Sequence, residues 1–117
     1  MIKISTRVVI LGKNRVWKIP IDFRGYLQGK NEGRVWEEYK SKKILQPIIW
    51  ELFGIVCQER AQPVESISTL NVKKVKSIIP QLDIPNCDLN NPENWGMYNG
   101  ELRLLDYGID EEISRMY

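Results

Sequence analysis

The stretch that most constrains this chain is Asn94-Trp95-Gly96-Met97-Tyr98-Asn99-Gly100-Glu101-Leu102-Arg103-Leu104-Leu105-Asp106-Tyr107-Gly108. Asn99-Gly100 at its centre is the strongest short turn signal, because a type I′ turn places both central residues at φ > 0. Trp95 and Met97 alternate on one arm, and Leu102 and Leu104 on the other. The stretch reads as a β-hairpin that brings Asn94 and Asp106 to the same end, with Gly108 letting the chain turn away. An amide and a carboxylate at a strand end suit a hard cation such as Mg²⁺; the same residues also serve as ordinary turn caps.

Length and composition narrow the function classes. The chain has 117 residues, enough for one domain spanning 1–117 with a single modest core. It contains no histidine, so there is no Ser-His-Asp triad, no histidine base and no histidine-ligated zinc or haem. Cys57 and Cys87 stand far apart without CxxC spacing, which argues against structural zinc and reads Cys57 as a reduced core thiol. A net charge of +2 is too small to argue for nucleic acid. Polar residues interrupt the N-terminal stretch too early for a signal peptide, and no apolar run is long enough to span a membrane. The expectation is a cytoplasmic protein.

Val8–Leu11 and Val16–Ile19 read as strands joined by a turn at Gly12–Arg15. Pro20 and Asp22-Phe23-Arg24-Gly25 end that hairpin, and Gly25 to Gly29 reads as turn. From Lys30 to Lys43 the pattern becomes helical, with Glu32 at the helix start and on one face with Val35, Trp36 and Tyr39. Ile48–Glu51 and Gly54–Glu59 read as a second hairpin, and Arg60–Pro63 as an extended connector. Ser66 to Leu82 reads as a second helix, capped by Ser66 or Ser68, with Leu70, Val75, Ile78, Ile79 and Leu82 as its apolar stripe. Lys73, Lys74 and Lys76 read as a solvated face. Asp83 to Glu93 is a loop that delivers Asp88 before the last hairpin, and the tail Ile109–Tyr117 adds one or two helical turns. The fold class is α+β: antiparallel hairpins, two helices and a C-terminal β-hairpin.

Four residue types then sit at meaningful points: Lys18 inside a strand, Glu32 on a helix, Asn94 after a loop and Asp106 at a strand end. Phosphoryl transfer uses these types, a strand lysine on phosphate, a helix glutamate paired with it, and an Asn and an Asp on Mg²⁺. In that order the chain resembles the protein-kinase-like fold, and more specifically the very small kinase-like proteins encoded by bacteriophages. Val16-Trp17-Lys18-Ile19 is similar to the strand carrying the kinase phosphate lysine, and Glu32 to the helix glutamate that pairs with it. Cys57-Gln58-Glu59-Arg60 is similar to the hinge that seats adenine, Pro92-Glu93-Asn94 to the end of the catalytic loop, and Asp106-Tyr107-Gly108 to the DFG motif.

The resemblance implies a minimal kinase-like fold that binds ATP and Mg²⁺. Lys18 and Glu32, with Gln58 and Glu59 at the hinge, would bind the nucleotide. Asn94 and Asp106 would hold metal, and Asp88 would be the candidate catalytic base, at a spacing one residue longer than in kinases. The chain departs from the pattern in having no GxGxxG loop, no HRD motif and only nine residues after Gly108. Two functions follow as expectations. One is a reduced or degenerate phosphotransferase of phage origin that binds ATP·Mg²⁺. The other is a catalytically inert phage protein that binds and inhibits a host protein, with Trp50, Phe53, Trp95 and Tyr98 as candidate contact aromatics. Nucleic acid and membrane are not expected as partners.

Overall fold

The computed structural model describes residues 2–4, 6–78 and 89–108. Asp88, Ile79, Leu82, Cys87 and the tail from Ile109 lie outside the described residues. The architecture is α+β. Strands β1 (Ile2–Ile4), β2 (Arg7–Leu11) and β3 (Arg15–Pro20) lead into helix α1 (Phe23–Tyr39), then β4 (Ile48–Leu52) and β5 (Ile55–Glu59). These strands make one antiparallel sheet in the order β1-β2-β3-β5-β4. β6 (Gln62–Pro63), helix α2 (Thr69–Ile78), β7 (Trp95–Tyr98) and β8 (Glu101–Leu104) follow, and β6, β7 and β8 form a second antiparallel sheet.

The C-terminal hairpin forms as its turn chemistry dictates. Tyr98 pairs with Glu101, and Asn99 and Gly100 adopt φ of 50° and 79°. The connector expected at Arg60–Pro63 is more than a connector, since Gln62 and Pro63 pair with Met97 and Gly96. At the tip of the β4–β5 hairpin, Phe53 and Gly54 both have positive φ, 51° and 83°. Glycine takes that conformation freely, whereas a bulky aromatic takes it against steric resistance.

Helix α1 begins earlier than the sequence pattern suggests. Asp22 caps it, its Oδ1 accepting from the Gly25 amide at 3.0 Å. The expected turn at Gly25–Gly29 is therefore helix, and Glu32 lies in the middle of α1 rather than at its start. The glycines are there for close approach. A Cβ at Gly25 would lie 2.2 Å from the Thr6 carbonyl oxygen, and one at Gly29 would lie 1.9 Å from that of Gly54. With one glycine per turn against the sheet, the helix axis comes near enough for Gln28 and Glu32 to reach across.

Over the described residues helix α2 runs Thr69–Ile78, starting after the second of its two expected caps. Ser68 precedes it, and the Asn71 side chain reaches back to the Ser68 amide at 3.2 Å, one half of a capping box. Its buried residues are Val72 and Val75, while Leu70, expected in the apolar stripe, is 73% exposed. Lys73, Lys74 and Lys76 are exposed. The core runs between α1, α2 and the two sheets: Val35, Leu45, Ile48, Val56, Val75, Leu89, Trp95, Leu104 and Tyr107 pack together. Trp95, a candidate contact aromatic, is thus buried, and its indole N–H donates to the Leu89 carbonyl at 2.8 Å. No helix among the described residues is long and apolar enough to cross a membrane.

Candidate functional site

Two strands, a helix and the segment after β8 meet at four charged side chains. Strand alternation sends Lys18 of β3 to the face that α1 covers, and hairpin register sets it opposite Val9. Arg7 lies two residues before Val9 and shares that face. Both reach Glu32, which has no exposed surface. Lys18 Nζ lies 2.6 Å from Glu32 Oε1, and Arg7 Nη2 lies 3.1 Å from Glu32 Oε2. Arg7 Nη2 also donates to Asp106 Oδ1 at 3.2 Å, and Gln28 Nε2 donates to the same oxygen at 3.1 Å. Lys18 Nζ donates to the Leu105 carbonyl at 2.8 Å, tying the strand to the residue before Asp106. Two positive and two negative charges therefore close on one another.

The segment after β8 is locked against α1 and the first sheet. The Tyr107 hydroxyl donates to the Gln46 carbonyl at 2.8 Å. Burial, then the negative charge of Glu32, pushes the Tyr107 phenol well above its ordinary value, so it stays neutral and hydrogen-bonded. Asn31 Nδ2 donates to the Gly108 carbonyl at 2.9 Å. Gly108 is not the turn residue its position suggests, because positive φ among the glycines is confined to Gly54 and Gly100 in the described residues. It is glycine because a Cβ would lie 2.2 Å from the Gln28 carbonyl oxygen and 2.8 Å from Glu32 Oε2.

Burial by itself would raise the Asp106 carboxyl, but the charges of Arg7 and Lys18 and the Gln28 hydrogen bond outweigh it and hold the group below its usual value. The stabilisation this carries is complete above the unfolded carboxylate pKa of about 3.9. It is lost as the pH falls below that toward the lowered native value, because the unfolded chain then takes up the proton first. Asp106→Asn should therefore flatten the acid limb of stability against pH, followed by urea midpoints from about pH 5 down to about pH 2. An acid limb as steep as that of the parent would contradict this charge arrangement.

The other expected site residues are placed as follows. Asn94 ends a short 3₁₀ turn, Pro92–Asn94, and its carbonyl accepts from the Leu105 amide at 2.7 Å, which sets its backbone beside the segment carrying Asp106. Gln58 is buried, and its side-chain amide donates to the Leu105 carbonyl at 3.0 Å. The Glu59 amide donates to the Pro47 carbonyl at 3.0 Å, and its own carbonyl accepts from Gln46 Nε2 at 2.9 Å. Its carboxylate accepts from the Tyr98 hydroxyl at 2.5 Å. These polar groups of the hinge-like segment are engaged inside the fold. Asp88 lies outside the described residues.

The donor set does not fit Mg²⁺ as it stands. The ion needs oxygen lone pairs in near-octahedral array, and no group of three or more His, Cys, Asp or Glu residues that could hold a metal is found among the described residues. Asp106 Oδ1 already receives two hydrogen bonds, one from a guanidinium. A unit charge about 4 Å away repels at about 4 kcal/mol per unit charge near a protein surface, and twice that against a divalent ion. Arg7 already holds the Asp106 oxygen, Oδ1, for which a metal would have to compete.

Sequence reasoning missed Arg7, Gln28 and Gln46. Strand parity carried the signal for Arg7, since it shares the face of Val9 and hence of Lys18. Gln28 stands four residues before Glu32, on the same helix face, but the flanking glycines masked the helix. Comparisons with protein-family models, with curated proteins and with solved structures find no match to this chain.

Proposed function

We propose that the chain is a kinase-like nucleotide-binding protein, a degenerate phosphotransferase of phage origin working in the host cytoplasm. The observation that carries this reading is the 2.6 Å contact of Lys18 with Glu32. It joins the third strand to the following helix, as the phosphate lysine and helix glutamate of protein kinases are joined. Asp106-Tyr107-Gly108 lies against that pair. An ammonium has three donors; Glu32 and the Leu105 carbonyl take two of those on Lys18, and the third is available to a phosphate oxygen. Because Glu32 and Asp106 offset Lys18 and Arg7, the site has no net charge to grip a polyphosphate. Binding is weak, independent of Mg²⁺ and without turnover.

Thermal denaturation with ATP tests this. Ligand bound to the native state raises the midpoint by mass action. The expected result is a rise at millimolar ATP that survives a chelator and is absent from Lys18→Met measured against its own ligand-free midpoint. No rise at millimolar ATP, with or without Mg²⁺, would count against nucleotide binding.

The hold of Arg7 on Asp106 favours a second reading, an inert protein that binds and inhibits a host protein. With Trp95 buried and Tyr98 bonded to Glu59, its candidate contacts reduce to Trp50 and Phe53, which are exposed. Recovery of a stoichiometric host protein on affinity purification, with no nucleotide-dependent midpoint shift, would favour it.

A further inference from the structure

The exposed aromatic surface has a geometry of its own. β4 is the last strand of its sheet, so among the described residues no strand pairs with its outer side. Proteins usually guard such edges with lysine, proline or a cover. Here Ile49, Trp50, Leu52 and, at the tip, Phe53 stand exposed, and the one charged residue of the strand, Glu51, is turned in toward the Gly54 amide at 2.9 Å. Two more exposed aromatics stand on α1 beside the tip. A Cβ at Gly54 would lie 3.0 Å from Tyr26, and Tyr26 stacks on Phe23 with ring centroids 6.1 Å apart. Folding explains none of this at Phe53, which is 71% exposed and holds a left-handed φ that Asn or Gly would hold more easily.

We infer that this surface is a homodimer interface, formed by antiparallel pairing of β4 with β4 of a second copy. Three observations choose that occupant. An open strand edge presents backbone N–H and C=O groups that another strand satisfies in full. The six apolar residues are between 36% and 71% exposed. At about 200 Å² for a whole large side chain this leaves roughly 600 Å² of apolar surface, the upper end for a monomer's largest patch and near the ~800 Å² each partner contributes to a standard interface. The bordering charges are of both signs and already paired, Asp22 with Arg24 at 2.8 Å and Glu51 with Lys30 at 3.5 Å. Such a border selects neither an acidic nor a basic partner, but it is self-complementary about a two-fold axis. The inference does not depend on nucleotide binding.

Sedimentation velocity on the full chain across a range of concentrations tests it. The expected result is reversible association to twice the 13.7 kDa monomer mass. Leu52→Lys combined with Phe53→Asn should abolish association. Because both residues are exposed, the variant should keep its circular dichroism spectrum. A parent protein that stays at monomer mass throughout would overturn the inference. So would a dimer that survives the double substitution, or open-ended assembly in place of closure at two.

Discussion

Glu32→Ala is expected to destabilise the fold by about 3–5 kcal/mol, the cost of leaving buried charge without its partner. Glu32 has no exposed surface, and both of its oxygens are engaged, one by Lys18 and one by Arg7. Those cations are themselves buried, at 5% and 3% exposure. In a domain of this size the loss corresponds to a fall of roughly 10–20 °C in the thermal midpoint. Glu32→Gln keeps the shape and one acceptor oxygen and should fall between parent and alanine variant. The loss measures the penalty of orphaned charge, not the strength of either ion pair. A cost of about 1 kcal/mol or less for Glu32→Ala would mean that Lys18 and Arg7 find solvent, and that the cluster does not hold sheet and helix together.

Gly29→Ala should act in the direction opposite to helix propensity. In an exposed helix interior, alanine for glycine stabilises by about 1 kcal/mol. At Gly29 the added methyl would sit 1.9 Å from the Gly54 carbonyl oxygen, a backbone atom that can retreat only if the whole β4–β5 turn moves. Pushing α1 off the sheet would also lengthen the contacts of Gln28 and Glu32. We expect a loss of about 3 kcal/mol or more, at the upper end for overpacking, read from urea midpoints at constant slope. Alanine tolerated within about 0.5 kcal/mol would mean that the helix stands farther from the turn and that the site is looser.

What was legible in the sequence, and what was not, follows from the range of the signals. The Asn99-Gly100 turn and the alternating arms around it are local, and the C-terminal hairpin forms as read. The hairpins at Gly12–Arg15 and at Phe53-Gly54 are local in the same way. The N-terminal half of α1 is not legible as helix because glycine carries two meanings. In a turn it supplies φ > 0; in a packed helix it supplies room, and only the neighbouring strand tells the two apart. Gly108 is the same case. Leu70 fits the apolar stripe of α2 in the sequence, yet Val72 is buried and Leu70 exposed, because the face a helix buries depends on what lies against it. Trp95 reads as a contact aromatic in the sequence, yet it is buried while Met97, two residues on and on the same strand face, is 37% exposed, because only the Trp95 end of that face is covered by the core. Lys18 and Glu32 were legible as a pair of residue types; that Arg7 would complete the cluster required the register of β2 on β3.

In the proposed function Lys18, held by Glu32 and set beside Asp106, offers its remaining donor to a phosphate. Crystals of the protein grown with a non-hydrolysable ATP analogue test this most directly. The expected density places a phosphate oxygen within hydrogen-bond distance of Lys18 Nζ, with the Lys18–Glu32 contact intact and Arg7 still on Asp106. Phosphates bound elsewhere on the surface, or a site that stays empty at saturating analogue, would contradict the claim.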